Sequence, residues 1–381
     1  MTDPLTQPRH VVICGGGIVG VCIAYFLAEK DPSIRITVIE RTAVACAASG
    51  VAGGFLACNW CDGTPTEEIS RKSFQLHADL ARELNGPTSY DYRCLDTLAV
   101  TASTRPSSSP ANVGPKLDWL DPEIILQTSV SGDKTTTAQL HPLKFTNTLM
   151  QLAIARGAEL MITTVDGFEF HDNDDRRQVR GVRVTGQTCN TEFIPCDDVI
   201  IAMGPWSGLT SSWLPHRVAV SGSRVHSVIL KPTAPVSVHA LFVLFDDGKK
   251  ESEPEVYPRP DGTVFVCGGL ETHSLPADPR HIKPVKDSIL HLRDIAGILS
   301  PKHLRDATVV REQCGFVPVS YDSIPLIGKY PGIDRLYMAT GHSVWGILQA
   351  PATGLAMAEL LLEGNSTSLD LKQFEPSRLL M

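Results

Sequence analysis

The chain has no excess of basic residues: 34 Lys and Arg stand against 42 Asp and Glu, a net charge of −8. Binding nucleic acid takes clustered cations to neutralise phosphates, so that class of function is excluded. No apolar run approaches the roughly 18–20 residues that cross a membrane, and no membrane span is expected. The first ten residues, Met1 to His10, hold two prolines and no apolar core, so a secretory leader is not expected either. Without export the ten cysteines should stay reduced. Most lie in apolar segments, as Cys14, Cys22 and Cys267 do, and read as small buried hydrophobes. A cytoplasmic protein is expected, with the sequon Asn365-Ser366-Thr367 silent. The peroxisome-like tripeptide Ser377-Arg378-Leu379 is not at the terminus where a receptor would read it. Charged residues make up only 20% and apolar ones 43%, which disfavours disorder and coiled coil and gives a large core.

What is present is concentrated at the front. Val11-Val12-Ile13-Cys14 reads as a buried strand, and Gly15-Gly16-Gly17-Ile18-Val19-Gly20 turns the chain into an apolar helix from Ile18 to about Ala28. In a Gly-x-Gly-x-x-Gly turn, Gly15 permits the sharp bend, Gly17 lets backbone N–H groups approach a pyrophosphate, and Gly20 lets helix pack close to strand. The helix N-terminus adds unpaired donors and a partial positive charge. A second strand, Arg35 to Ile39, ends in Glu40, placed to hold a ribose hydroxyl and to repel a 2′-phosphate. Strand, helix, second strand and acid together predict a dinucleotide site.

After Glu40, small residues dominate from Arg41 to Phe55, which suits backbone lying against a flat ligand. A helix is predicted from about Glu67 to Asn85, an exposed loop at 101–115, and a helix from Pro142 to Ala155 stopped by Gly157. Strand candidates follow at Leu160–Val165, Phe168–His171 and Gly181–Thr185. The acidic stretch Asp172 to Arg177 joins the last two as a solvated turn, because a calcium loop needs Gly where Arg177 stands. Val199 to Gly204 is a buried strand ending on glycine. Residues 218–272 read as strands, 283–299 as a helix, and Leu336 to Thr340 as a last strand turning at Gly341 into a helix from Gly346 to Glu363. The expected fold is α/β. Residues 1–85, 140–210 and 310–381 form a Rossmann-type cofactor domain from discontinuous segments, and 86–139 with 211–309 form a strand-rich (α+β) substrate domain.

On these residues the chain resembles the D-amino-acid oxidase superfamily of FAD flavoproteins, which includes glycine oxidase and sarcosine oxidase. The resemblance rests on the front motif with Glu40, on Ser49-Gly50 and Gly53-Gly54, on Ala202-Met203-Gly204-Pro205-Trp206-Ser207, and on the tail. The tail comprises Asp322 to Gly328, Ala339-Thr340-Gly341-His342, and Gly346 to Gly354. Residues 52–57 and 60–63 look closest to a fungal and plant branch of oxidoreductases. The resemblance implies FAD held by Gly15, Gly17, Ile18, Val19 and Gly20 at the pyrophosphate and by Glu40 and Arg41 at the ribose. Ser49, Gly50, Gly53, Gly54 and Phe55 would lie along the ribityl chain and flavin edge, Val165 on the adenine side, and Gly204 and Trp206 by the phosphates. Gly341, His342, Ser343, Gly346, Ile347 and Leu348 would bring the last helix N-terminus to the flavin, where its dipole favours the charge that builds on reduction.

Two departures stand out. Relatives that oxidise small amino acids carry an Arg clamp where Val317 stands, and sarcosine-type oxidases use a Lys that 255–271 lacks. Losing a bidentate guanidinium removes the anchor for a free carboxylate. The catalytic and substrate-lining candidates are Trp60, His226, Tyr257, Arg259 and Trp345. Cys58-Asn59-Trp60-Cys61 has redox spacing but lacks the two further ligands zinc needs, so no metal site is expected. Cys314 is one residue out of register for covalent attachment of flavin. Gly341-His342-Ser343-Val344-Trp345 ends in Trp where a nucleophile elbow needs Gly. The expected function is FAD-dependent oxidation of a C–N bond of a small-molecule amine other than a small free amino acid. The alternatives are a flavoprotein with structural FAD acting in protein interaction or trafficking, and an NAD-dependent dehydrogenase.

Overall fold

The structure, a computed structural model, describes residues 8–105, 114–173, 176–186 and 190–379. Positions 106–113 of the expected loop and 174–175 of the expected turn lie outside them.

Strands buried on both faces set the first layer. Six strands run in the order Leu326–Lys329, Leu336–Thr340, Asp198–Ile201, His10–Cys14, Arg35–Glu40, Glu159–Ile162. All are parallel except the edge strand Leu326–Lys329. Because successive side chains point to opposite faces, Val11, Ile13, Ile36, Val38 and Ile200 pack under helices Ile18–Lys30, Pro142–Ala155 and Gly346–Glu363. Val12, Cys14, Ile39, Val199 and Ile201 pack on the other side, against a small sheet built on Thr164–Asn173, Arg176–Thr185 and Thr191–Pro195. Burial on both faces explains the unbroken apolar runs.

The last helix bears on the expectation that no segment spans a membrane. Ser343–Glu363 has the length and hydropathy of a membrane span, because Gly, Thr and Gln interrupt its apolar residues without adding charge. It is a core helix: 78% of its most apolar window is buried, against Ile18–Lys30 and Glu67–Glu83.

The second layer system is an eight-stranded, mostly antiparallel sheet. Its main path runs Thr308–Ser320, Val220–Lys231, Val264–Thr272, Glu255–Pro258, His239–Asp246, Asp96–Ser103, Ile125–Gly132. Its outer face packs on helix Lys286–Leu299 through Val228, Leu241, Val256 and Val266. Its inner face carries Ile229, Ala240, Tyr257, Phe265 and Cys267, with Phe55, Val225 and Phe242 against them. Thr308–Ser320 pairs along its length with Val220–Lys231, so a division at 310 falls inside a strand of this sheet.

Candidate functional site

Parallel strands end at one edge, so the loops that follow them meet there. Gly15 and Gly17 follow the first strand, Glu40 and Arg41 end the second, Ala202 to Trp206 follow Asp198–Ile201, and His342 and Ser343 follow the last. All of these line one cavity. Ser49, Ile18, Val19, Val165, Gly346 and Ile347 complete the predicted part of its wall. Val317 lies in it too, brought from the other sheet.

The front glycines divide between folding and site. Gly15 has φ +121°, and a Cβ there would stand 2.2 Å from the Ala202 carbonyl oxygen. Gly20 lies against the Gly15 carbonyl, where a Cβ would come within 2.1 Å. Gly17 differs: its backbone is ordinary (φ −74°), and a Cβ would meet only the Ser49 hydroxyl, at 3.3 Å. The remaining space belongs to the cavity. Gly204, at φ +53°, has nothing within 4 Å of a Cβ. These two bare backbone faces form a cradle that side chains would fill.

The polar groups around the cradle point the same way. Ile18 N–H donates to Ser49 Oγ at 3.0 Å, so the hydroxyl caps a helix whose other first-turn donors face the cavity. Glu40 Oε2 accepts from Gly16 N–H at 2.9 Å and Oε1 from Thr42 N–H at 3.0 Å, which fixes the carboxylate in the wall. Arg41 Nη1 donates to the Ala277 carbonyl at 2.7 Å and its Nε lies 3.6 Å from Asp278. His342 is buried, and burial pushes its pKa down to about 3. Thr353 donates its hydroxyl proton to Gln349 O at 3.0 Å, so His342 Nε2, 2.9 Å from Thr353 Oγ1, must be the donor of that pair. Nδ1 is then a buried acceptor without a partner, on a residue of the cavity wall.

These features fit FAD. The N–H groups around Gly17 to Val19 would hold the pyrophosphate, Glu40 a ribose hydroxyl, and His342 Nδ1 an N–H or O–H of the ligand.

Other predicted residues act beside the cavity. Gly50 and Gly54 lie against the carbonyl oxygens of Ala45 and Leu140, where a Cβ would come within 2.1 and 2.0 Å. Gly53 lies against the Tyr257 ring, which a Cβ would approach to 2.6 Å. They shape the segment whose neighbours Ser49 and Ala52 reach the cavity. Gly341, φ +80°, makes the turn, and Leu348 is in the core.

Four of the catalytic candidates cluster on the inner side of the second sheet. Trp60 lies 5.0 Å from Phe55, 4.5 Å from Phe242 and 6.5 Å from Trp345, ring centre to ring centre. Tyr257 stacks on Phe55 at 5.6 Å and on Phe265 at 5.9 Å. Arg259 is buried over the Phe265 ring, with Nη2 donating to Ala52 O at 3.4 Å, and burial lowers its pKa. None of them lines the cavity itself; they back onto its wall at Ala52 and, through Trp345, at Gly346.

His226 is a correction. It pairs across the sheet with Cys314 and faces outward, where its Nε2 accepts from Val285 N–H at 3.1 Å at the start of helix Lys286–Leu299. The inward residue is Ser227, beside Gln313. A bulge after Val225 shifts the pairing there, and strand alternation gave no local sign of which face His226 takes.

The sequence reading missed Thr163, Trp213 and Pro279 of the cavity wall, which come from distant segments with no shared motif. It also missed Glu255. A signal existed there, since Glu255 and Tyr257 share one face of a four-residue strand whose inner side is otherwise apolar.

The family model described as FAD dependent oxidoreductase (DAO) matches residues 10–360. The chain is 28% identical to oxidoreductase C1F5.03c of Schizosaccharomyces pombe, over 98% of this chain and 99% of that one. It is 29% identical to oxidoreductase TDA3 of Saccharomyces cerevisiae, over 97% and 94%. The solved glycine oxidase of Geobacillus kaustophilus matches with a TM-score of 0.75 at 20% identity, over 98% of this chain and 100% of that one, a likeness of fold.

Proposed function

The chain belongs to the DAO family of FAD-dependent oxidoreductases, which removes the nicotinamide alternative, and from that premise we propose that it oxidises the C–N bond of an amine other than a small free amino acid. FAD, when bound, would supply a hydride acceptor for the carbon beside nitrogen, and the amine, its lone pair closing the C=N bond, would leave as an iminium. The residues around the site supply position and exclude water.

The observation that carries this reading is the charge of the cavity wall. Among the described residues that line it, Arg41 is the one guanidinium, and it is held by Asp278 and the Ala277 carbonyl. Val317 stands on the wall where small-amino-acid oxidases of the family would carry the clamp. A carboxylate entering there meets no free cation on the wall itself, since Arg259 stands behind it at the Ala52 carbonyl, and loses hydration at a cost of several kcal/mol. The nine described cysteines are unpaired, which supports the cytoplasmic placement that belongs to this proposal.

The test is anaerobic stopped-flow reduction of the flavin by matched amino acids and their esters. Esters should reduce it faster than glycine, sarcosine or D-alanine, and Val317→Arg should shift the preference toward the acids. Faster reduction of the wild type by the free acids would overturn the reading.

A further inference from the structure

At its centre the inner face of the large sheet is apolar around Ile229, Ala240, Tyr257 and Phe265, and one polar row crosses it. Phe242 pairs directly with Glu255 and Glu255 with Cys267, so the three side chains stand abreast on that face. Cys267 pairs in turn with Ser227, and Ser227 with Gln313. Within this row Glu255 carries the formal charge.

Its two oxygens are not equivalent. Oε2 accepts from the Tyr257 hydroxyl and from the Cys267 thiol, the latter at 3.5 Å. Oε1 has no partner and is not sealed off, for it is absent from the buried atoms left without one. No described Lys, Arg or His forms an ion pair with Glu255. Tyr257 and Cys267 are buried while Glu255 stays partly open, so the free oxygen lies on the open side of the row. Burial raises the Glu255 pKa, because a desolvated carboxyl favours its neutral form; a cation at Oε1 would favour the charged one.

Aromatic rings stand beside Glu255. Phe242, next to Glu255 across the pairing, meets Trp60 at 4.5 Å and Phe55 at 4.9 Å. Trp345 closes the cluster 6.5 Å from Trp60. Trp60, Phe242 and Trp345 are all partly exposed. Part-exposed aromatic faces around one free carboxylate oxygen recognise an organic cation on an apolar stem. The ring cluster adjoins the cavity wall, because Ala52 lines the cavity while the Tyr257 ring lies against Gly53, with Glu255 at the hydroxyl end of that ring.

We propose that Glu255 anchors a second, non-reacting ammonium of the substrate, so that the enzyme acts on diamines or polyamine-like amines whose reacting C–N bond lies a short hydrocarbon chain from a fixed positive charge. This rests on the amine-oxidising reading above and names the substrate class for it. The rings take the hydrocarbon stem, and Oε1 takes the distal ammonium. The clamp at the reacting end is dispensable because the grip is at the other end.

The experiment uses the FAD-loaded enzyme and isothermal titration with 1,5-diaminopentane and with pentylamine, on wild type and Glu255→Gln. The readout is the ratio of the two affinities. It should be at least tenfold in favour of the diamine in the wild type and fall toward one in Glu255→Gln, which keeps an acceptor for Tyr257 but carries no charge. Equal ratios in the two proteins, or a wild type without preference for the diamine, would overturn the proposal. Stopped-flow flavin reduction by the N-methyl derivatives of both ligands tests the amine reading separately. If neither reduces the flavin while the titration ratio holds, amine oxidation fails and the cation site stands.

Discussion

Gly17 and Gly20 lie three residues apart in one motif, yet the structure assigns them opposite kinds of failure. Gly17→Val places a side chain on an ordinary extended backbone, φ −74° and ψ 173°, with only the Ser49 hydroxyl near its Cβ at 3.3 Å. The protein should therefore fold almost as well as wild type. The valine methyls, however, enter the cradle and hold a phosphate away from the helix N-terminus. Two charge-assisted hydrogen bonds are lost at about 1.5–3 kcal/mol each. Together these amount to about 10²- to 10⁴-fold in FAD affinity. Gly20→Ala should behave in the reverse way. Its Cβ would lie 2.1 Å from the Gly15 carbonyl and 3.2 Å from Ile13, so strand and helix must separate, at a cost of about 1–3 kcal/mol or more in stability. The assay is FAD titration of both apoproteins by flavin fluorescence quenching, with thermal unfolding of the same samples. Wild-type FAD affinity in Gly17→Val would refute the cradle. So would an apo Gly17→Val destabilised as much as apo Gly20→Ala.

Two further outcomes are expected. Acid or heat precipitation should release all of the flavin into solution, because Cys314 pairs with His226 on the outward face and its buried thiol is held above its usual pKa; flavin that stays with the pellet would contradict this. Glu255→Gln should change stability in a pH-dependent way. A carboxyl whose folded pKa is raised by burial contributes stability below its unfolded value and loses it as pH rises through the folded one. Tyr257 and Cys267, which face it, are themselves pushed well up by burial and stay protonated. The variant should match wild type near pH 4 and melt higher at pH 8, and a lower melting temperature at pH 8 would refute the assignment.

The cofactor half was largely legible because its signals are local. The glycine turn, the acid ending the second strand and the helices Pro142–Ala155 and Gly346–Glu363 each follow from residues within a few positions of one another. One glycine of the tail serves packing. Gly354 belongs to the tail motif, but a Cβ there would stand 2.6 Å from the Cys22 backbone, so it lets the last helix close on the first. On the second sheet, the face a residue takes depends on register, and register depends on a bulge that no single segment announces. His226 was lost that way, and Glu255 was overlooked because its neighbours Cys267 and Phe242 belong to strands far apart in sequence.

Gly53 shows how the two halves are joined. The backbone at 52–53 has the cavity on one side, at Ala52, and the Tyr257 ring on the other. No residue with a Cβ fits between them, since it would stand 2.6 Å from that ring and 3.0 Å from Phe265. The absent side chain lets the aromatic cluster approach the cavity wall closely. Tyr257 in turn holds one oxygen of Glu255 and leaves the other free. A substrate gripped at Glu255 is thereby held at a distance set by one tyrosine ring and one peptide. Chain length between reacting nitrogen and distal charge, rather than a clamp at the reacting end, is then what this geometry selects.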